Sequence, residues 1–446
     1  DAAEANNEPG RFTALLGWEW SSIPAGANLH RVVVTPNGRN QAAQYMPFGS
    51  DQSQYPEDLW AWLEATSSRT GSQFIAIPHN SNISKGYMFD ETTLRGEPMS
   101  ADYIETRRRW EPVVEMTQVK GDSETHPSLS PEDPFAGFEP FEFYLQQEWQ
   151  GYRAAVGDFI RPALGRGLQI GRKAGANPFQ FGLIGSTDAH TGLSSAEEEN
   201  FWGKMAYDSI PANKTGDSLG GVKATGWGMA AAGMAAVWAT ENTRQGIFEA
   251  MQRREVYATT GPRIGLRLFA GWNFTPQDAE SPDLASLGYA GGVPMGGELT
   301  GAAGAPGGIR LLISAQKDPK GANLDRVQVI KGWLDAAGNS REKVFDVAWS
   351  GERLPLADGS LPPVGNTVDE PGASYANSIG AAQLATVWED PEFDPDQGAF
   401  YYVRVLQIPT PRHSTYDAAA LKIPPPEPYP TAIQERAYTS PIWYVP

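Results

Sequence analysis

Cysteine is absent from this chain of 446 residues, and histidine is scarce. Without cysteine there is no disulfide bond, no thiolate nucleophile, no zinc finger and no cysteine-bound iron–sulfur cluster. The five histidines are His30, His79, His126, His190 and His413. No run of about 18 apolar residues occurs, so the sequence predicts no membrane-spanning helix. Any site built on imidazole must draw on this short set of histidines.

Positive charge is also in short supply. Lysine and arginine number 35 against 53 aspartates and glutamates, which gives a net charge of −18. Nucleic-acid polymers and anionic membranes attract Lys and Arg, so the excess of acid disfavours both as main partners. A small anionic substrate is still compatible with this composition if local cations collect it. The hydrophobic fraction of 40% predicts a globular chain with a sizeable core.

The order of apolar segments predicts two domains. In the first part, short apolar runs predict buried strands at residues 12–18, 31–35, 74–77, 113–119 and 179–184. Helical patterns lie between or after them at residues 56–64, 141–173 and 242–257. This alternation is typical of an α/β domain, and we expect a barrel or distorted barrel over residues 1–262.

The pattern changes after residue 262. Short β segments alternate with Gly- and Pro-rich turns, and the candidates are residues 264–269, 310–315, 326–331, 343–349 and 399–407. We therefore predict a β-sandwich-like domain over residues 263–446.

Polar side chains follow several of the predicted strands in the first domain. Glu19 follows the first strand, His79 the third, and an Asp188-x-His190 pair the fifth, while Glu115 lies within the fourth. In parallel α/β folds, functional groups collect at the C-terminal ends of strands. Carboxylate oxygens and imidazole nitrogens suit Zn²⁺, Mn²⁺ or Fe²⁺, so this set predicts a metal site.

His30 departs from this pattern because it precedes its strand. It reaches the same rim only if that strand runs in the opposite direction or if its loop folds over.

Four segments together resemble the later motifs of the polymerase and histidinol phosphatase (PHP) superfamily. They are Gly-Trp-Glu-Trp (17–20), Leu-His-Arg (29–31), Ile-Pro-His-Asn (77–80) and Gly-Ser-Thr-Asp-Ala-His (185–190). They are most similar to an uncharacterised bacterial family of PHP-like proteins with a C-terminal β region. The resemblance covers about residues 10–265. It implies a distorted seven-stranded (β/α) barrel that binds two or three divalent metal ions, Zn, Mn or Fe, and hydrolyses phosphoesters.

The resemblance also assigns ligands. It implies that the metal ligands are Glu19, His30, His79, Glu115, Asp188 and His190. PHP domains begin with a strand that ends in His-x-His, whereas no histidine precedes Glu19 here. We therefore expect this chain to be the later part of a longer polypeptide, with an upstream segment or chain supplying the missing strand. Loss of the first motif is the alternative.

Polar residues beside these ligands are candidates for contact with substrate. They are Arg31, Asn80, Asn82, Lys120 and Glu124 for binding, and His126 for catalysis. Lys120 and Arg31 carry positive charge that would neutralise a phosphate, and the two asparagines would donate hydrogen bonds or cap their own turns. Imidazole titrates near neutral pH, so His126 is a candidate acid for a leaving alkoxide, with a turn role before Pro127 as the alternative.

These observations lead to one hypothesis and two alternatives. The hypothesis is a divalent-metal-dependent hydrolase, a phosphomonoesterase or phosphodiesterase that acts on a small anionic substrate through a metal-bound hydroxide. One alternative keeps the metal chemistry but cleaves an amide or a carboxylic ester. The other is a glycan- or surface-polymer-binding protein with a degenerate barrel. The lack of cysteine and the abundant Trp, Gly and Pro favour an exported protein, periplasmic or extracellular.

Overall fold

The structure is a computed structural model of the chain, and it describes residues 1–145, 151–216, 225–301, 307–425 and 427–446. The α-helices in these residues are α1 (Ala2–Ala5), α2 (Arg39–Ala42), α3 (Pro56–Thr70), α4 (Ala101–Trp110), α5 (Ile160–Ala174), α6 (Arg244–Gln252), α7 (Leu284–Gly291) and α8 (His413–Leu421). The longest of these described helices span 15 residues. None of them has the length and apolar composition that crossing a membrane requires.

The same residues form many short strands. Those before residue 262 are β1 (Leu16–Trp20), β2 (Arg31–Thr35), β3 (Ile75–Pro78), β4 (Val113–Gln118), β5 (Gly121–Asp122), β6 (Gly182–Gly185), β7 (Met234–Val237) and β8 (Val256–Thr259). Those after it are β9 (Gly265–Gly271), β10 (Gly292–Pro294), β11 (Glu298–Thr300), β12 (Arg310–Gln316), β13 (Leu324–Leu334), β14 (Ser340–Trp349), β15 (Val368–Asp369), β16 (Ser374–Tyr375), β17 (Gln383–Glu389), β18 (Ala399–Gln407), β19 (Thr410–Pro411), β20 (Ala432–Ile433), β21 (Arg436–Thr439) and β22 (Ile442–Val445). The fold is therefore mixed α/β.

The first three strands form an antiparallel meander in the order β1-β2-β3. In the register of this sheet, Trp20 pairs with Arg31, and Arg31 pairs with Pro78. Side chains alternate across the sheet, so Trp18 and Trp20 pack into a core with α3 while Glu19 lies on the opposite face. The end of β1, the start of β2 and the end of β3 consequently lie at one edge.

The described strands do not close into a barrel. All five strands predicted in the first part are present, but β1, β2 and β3 run antiparallel, and β4 pairs in parallel with β6 in a separate sheet. Apolar runs indicate that a segment is a buried strand, but they carry no information about the direction of its partner. The expected barrel closure is therefore not found.

A sandwich follows in the second part. A sheet with the order β10-β9-β12-β17 packs against a larger sheet that contains β11, β22, β18, β21, β8, β7, β13 and β14. Leu266 and Leu311 of the first sheet and Val327, Val403 and Ala437 of the second share one buried core. The predicted β-rich region is thus confirmed, and β18 begins and ends at the predicted residues 399 and 407.

The larger sheet continues across residue 262, where the two predicted domains meet. Strands β7 and β8 precede this position, yet β8 pairs with β21. A second core joins Leu164 of α5 and Phe181 to Phe400 and Trp443 of the large sheet. The boundary between residues 262 and 263 stays a prediction, and the two sides share both a sheet and a core.

Two predicted helices are shorter than expected. The helix predicted over residues 141–173 begins only at Ile160. Residues 141–145 are not helical, and residues 146–150 lie outside the described part. The helix predicted over residues 242–257 ends at Gln252, because Arg254 has a φ of 62° and the chain then enters β8.

Candidate metal centre

The meander brings three predicted ligands together. Glu19 lies near the end of β1, His30 immediately before β2, and His79 immediately after β3. Because β2 is antiparallel to both neighbours, its beginning lies beside their ends, and the His79 amide donates to the His30 carbonyl at 3.3 Å. The direction of β2 therefore decides between the two arrangements that the sequence left open for His30.

The three side chains converge on one carboxylate oxygen. Glu19 Oε1 lies 2.6 Å from His30 Nδ1 and 3.4 Å from His79 Nε2. The two imidazole rings stand edge to face with centroids 5.5 Å apart. Among the residues that the structure describes, this is the one trio of His, Asp or Glu whose ligand atoms all lie within 4.8 Å of one another.

Electrostatics favour the metal-binding form of Glu19 and His30, whereas they favour the protonated form of His79. Hydrogen bonds from His30 and then His79 hold the pKa of Glu19 far below its ordinary value. Burial lowers the pKa of His30 and outweighs the hydrogen bond to Glu19. Burial acts in the same direction on His79, but the hydrogen bond to Glu19 and the charges of Glu115 and Asp188 raise its pKa overall. At neutral pH the trio thus offers an ionised carboxylate and the neutral imidazole of His30.

The donor set fits a divalent transition metal. One carboxylate and two imidazoles are common ligands of Zn²⁺ and of non-haem iron. Tetrahedral Zn²⁺ with bonds of about 2.0–2.2 Å places its ligand atoms about 3.3 Å apart. The separation of 3.4 Å between Glu19 and His79 matches that value, whereas the separation of 2.6 Å between Glu19 and His30 is that of a hydrogen bond and would have to lengthen when a metal binds.

A second cluster surrounds Asp188, which follows β6 in a left-handed backbone conformation with φ of 53°. Lys204 Nζ lies 2.7 Å from Asp188 Oδ2 and 3.0 Å from His190 Nε2. Lys120 Nζ contacts the same carboxylate oxygen, and Asp188 Oδ1 lies 3.3 Å from His190 Nε2. Burial and the neighbouring Lys120 lower the pKa of Lys204 to about 8. Two ammonium groups therefore share one carboxylate.

Lys204 was not found from the sequence. It lies 14 positions after His190 in an irregular segment, without a motif that marks it. Only the folding of this loop back onto Asp188 brings it into the cluster.

Glu115 connects the two clusters. It is buried on β4, and its Oε1 accepts from the backbone N–H of Asn80 at 3.2 Å while its Oε2 accepts from the Ser186 hydroxyl. Burial raises the pKa of Glu115, and the charges of His79 and Asp188 both act on it. The segments that carry the trio and Asp188 are thus in electrostatic contact through this carboxyl group.

The two asparagines differ in what they leave free. Asn82 is fully used, since its Nδ2 donates to the Lys120 carbonyl at 2.9 Å and its Oδ1 accepts from Ser123. Asn80 Oδ1 accepts from Gln118 at 2.7 Å, but its Nδ2 is buried without a partner among the described residues. The side chain of Asn80 therefore retains an unpaired donor.

Two other predicted residues, Arg31 and His126, have side chains that bond to groups outside the two clusters. Buried Arg31 bonds Glu111 at 2.9 Å and the Leu29 carbonyl, away from Glu19. The ring nitrogens of His126 contact Ser128 at 2.7 Å and Glu142 at 3.1 Å.

Glu124 lies in a buried network that links the two parts of the chain. It pairs with Arg161 of α5 and Arg404 of β18, and it accepts from the Tyr402 hydroxyl at 2.6 Å. These contacts engage both carboxylate oxygens, so Glu124, predicted to bind substrate, has its side chain in a buried network of the core.

Comparison with known proteins gives a family and no function. No curated protein and no solved structure matches the chain. The family described as protein of unknown function DUF3604 matches residues 1–446. Since this match covers the full sequence, the chain belongs to the DUF3604 family.

Proposed function

We propose that the protein is a divalent-metal-dependent hydrolase that acts on a small anionic substrate, with phosphomonoesters and phosphodiesters as the substrate class. The observation that carries this proposal is that Glu19, His30 and His79 converge near the cluster in which Lys120 and Lys204 contact Asp188. The similarity of the four motifs to PHP proteins supports the same assignment.

The trio would hold the metal ion. A divalent ion bound there would lower the pKa of a bound water and polarise a substrate oxygen. Glu19 supplies negative charge to the site, and the edge-to-face packing of His30 and His79 fixes the imidazoles against each other. The side chain of Glu19 is 35% exposed, so the site is open to solvent and substrate.

The lysines would recognise the anion. Lys120 and Lys204 both contact the carboxylate of Asp188, so two cationic side chains lie at one acidic group. Both ammonium groups are nearly buried, at 6% and 5% exposed, where a charge acts strongly on a neighbouring phosphate. Asn80 Nδ2 supplies a further unpaired donor for a phosphate oxygen.

These contacts favour one metal ion, whereas the resemblance implied two or three. A second ion on Asp188 and His190 would have to displace Lys204, which lies within 3.0 Å of both side chains. We infer that the two lysines supply the positive charge that a further ion would otherwise provide.

Metal analysis of the purified protein tests the first part of this proposal. Inductively coupled plasma mass spectrometry should find about one Zn, Mn or Fe per chain. The variants Glu19→Gln and His79→Ala should lose it, and Glu97→Gln, an exposed residue of the same charge, should retain it. Absence of stoichiometric metal from the wild-type protein after incubation with each ion would contradict the metal site.

A substrate screen tests the second part. 4-Nitrophenyl phosphate, bis(4-nitrophenyl) phosphate, 4-nitrophenyl acetate and an amino-acid 4-nitroanilide should be compared with Mn²⁺, Zn²⁺ and Fe²⁺. We expect hydrolysis of a phosphate ester. Faster hydrolysis of the acetate or the anilide would assign the protein to ester or amide cleavage.

One observation favours glycan binding as a second candidate function. A cavity of about 860 Å³ in the β region has Phe345, Trp349 and Trp388 among its lining residues, and aromatic side chains stack readily on sugar rings. Binding to a glycan array that Trp388→Ala abolishes, in a protein without metal or hydrolase activity, would support this function instead.

A further inference from the structure

A separate cavity of about 340 Å³ lies away from Glu19, His30 and His79. It opens between a 3-10 turn (Glu198–Asn200), the connection from β12 to β13, and helix α8. The site described above uses none of its lining residues.

The floor of this cavity contains two buried glutamates that are bonded to each other. Glu198 is 8% exposed and Glu435 is 3% exposed, and their carboxyl groups form a hydrogen bond. Glu198 also accepts from the His413 amide, and Glu435 accepts from the Thr260 hydroxyl. Two carboxyl groups bond in this way only when they share a proton.

The charge on this pair is only partly offset, since Arg412 acts on Glu198 without forming an ion pair with it. The nearby guanidinium of Arg412 is paired with Glu139 at 2.7 Å. In the part of the chain that the structure describes, no Lys or Arg forms an ion pair with Glu198 or Glu435. Burial, together with the negative charge of the other glutamate, raises the pKa of Glu435. An unpaired buried carboxylate is costly, so this pair must hold either a proton or a cation.

The walls combine charged, aromatic, apolar and hydrogen-bonding groups. The cations Arg263 and Lys320 line the cavity, but they are outnumbered by the acids Glu197, Glu199 and Asp318 together with the glutamate pair. Tyr375 and Tyr416 line the cavity together with the apolar Ala322. Gln407 is 1% exposed, and its Nε2 has no hydrogen-bond partner among the described residues. This nitrogen lies at the cavity wall, since a Cβ built on the lining residue Gly321 would be 3.4 Å from it. The cavity therefore offers an unused donor as well as a carboxyl pair whose charge is only partly offset.

We propose that this cavity binds a small organic ammonium compound that also carries a hydroxyl or carbonyl oxygen, such as an amino sugar or an amino alcohol. The ammonium group would replace the shared proton and bond to both Glu198 and Glu435, and the displaced proton would leave to solvent. The tyrosine rings attract a cation through their faces. The ligand oxygen would accept from Gln407 Nε2. A metal ion alone would leave the apolar wall and this donor unused.

Isothermal titration calorimetry with glucosamine as the probe tests the site. Glucose and N-acetylglucosamine are matched neutral probes, since they lack the ammonium group. We expect glucosamine to bind at least tenfold more tightly than either. Ethanolamine is titrated as a second ammonium compound. The proposal would be overturned if glucosamine and the neutral sugars bound with equal affinity, or if neither glucosamine nor ethanolamine bound.

Variants locate the binding. Glu435→Gln keeps the shape of the side chain but removes its charge, and Ala322→Leu fills the cavity without changing any charge. Both should weaken glucosamine binding at least tenfold, while the exposed control Glu352→Gln should leave it unchanged. Far-ultraviolet circular dichroism checks that each variant is folded. Unchanged affinity in a folded Ala322→Leu variant would show that the ligand binds outside this cavity. Binding of Ca²⁺ without binding of any ammonium compound would show that the site takes a metal ion, which would contradict the proposal.

Discussion

Replacing Glu124 by Gln tests whether this buried residue stabilises the fold or binds substrate. Its carboxylate accepts from Arg404 Nη1 at 2.9 Å, and Arg404 and Arg161 also pair with Asp133. Arg161 belongs to α5 and Arg404 to β18, so the network joins distant parts of the chain. Glutamine keeps the shape of the side chain but presents an amide donor to groups that also donate. We therefore expect a loss of stability.

The size of the loss follows from two arguments. Burial alone raises the pKa of Glu124, but the charges of Arg161 and Arg404 outweigh it and lower the pKa to about 2 from an ordinary 4.5. At about 1.4 kcal/mol per pH unit, this difference corresponds to about 3 kcal/mol at neutral pH. Breaking one partner of a buried ion pair costs about 3–5 kcal/mol, which is consistent.

The pH dependence has a definite sign. Because folding lowers the pKa of Glu124, its stabilising contribution is complete above pH 4.5 and is lost as the pH falls towards 2. Urea unfolding followed by tryptophan fluorescence should show Glu124→Gln about 3 kcal/mol less stable than wild type at pH 7. The gap should narrow below pH 4.5.

The control for this experiment is Glu132→Gln. Glu132 is an exposed neighbour of Asp133, and its replacement should change stability by less than about 0.5 kcal/mol. Equal stability of wild type and Glu124→Gln at pH 7 would show that the Glu124 carboxylate does not stabilise the fold. Full stability combined with loss of substrate binding would return Glu124 to a substrate-binding role.

Three other substitutions have expected outcomes. Burial and the charge of Glu124 raise the pKa of Asp122 to about 7, so the stability that its protonated form contributes is lost as the pH rises from about 4 through 7. Asp122→Asn should remove this loss, which totals about 4 kcal/mol between pH 4 and pH 8. Urea unfolding at pH 5 and pH 8 should detect about 3 kcal/mol of it in the wild-type protein and little in the variant. Lys204→Met should lower kcat/KM for a phosphate ester about 10- to 100-fold at unchanged metal content, because a charge-assisted hydrogen bond contributes about 1.5–3 kcal/mol. Equal kcat/KM in the variant and the wild type would show that Lys204 does not bind the substrate. Gly185→Ala would place a Cβ 2.6 Å from the Met234 amide nitrogen and 2.9 Å from the Thr259 carbonyl oxygen, so thermal unfolding should show a loss of about 1–3 kcal/mol.

Much of the secondary structure could be predicted because it depends on residue types close together in the sequence. The run Arg-Val-Val-Val-Thr at residues 31–35 is rich in β-branched residues, and it forms β2 over the predicted range. The helix predicted at residues 141–173 failed over its first part, because residue patterns did not reveal where the chain leaves its irregular path and begins α5. Strand β17 was missed, although it pairs with β12.

Some residues of the candidate site could be predicted from the sequence, and others could not. Glu19, His30 and His79 were predicted as ligands, and the structure places them together. Lys204 was missed, because its contact with Asp188 depends on how a loop folds rather than on neighbouring residues. Glu124 lies near Lys120 in the sequence, yet it faces Arg161 and Arg404 in the core.

The chemical inventory of the protein follows from its amino-acid sequence alone: no cysteine, five imidazoles, an excess of carboxylates, and short apolar segments that form strands. Residue composition and local sequence patterns set these properties, so they can be predicted without knowledge of the fold. The antiparallel direction of β2, which brings His30 beside Glu19 and His79, depends instead on how distant segments pack in three dimensions. The same packing also decides which charged groups are paired, because burial and the distance to a partner are set by segments far apart along the chain.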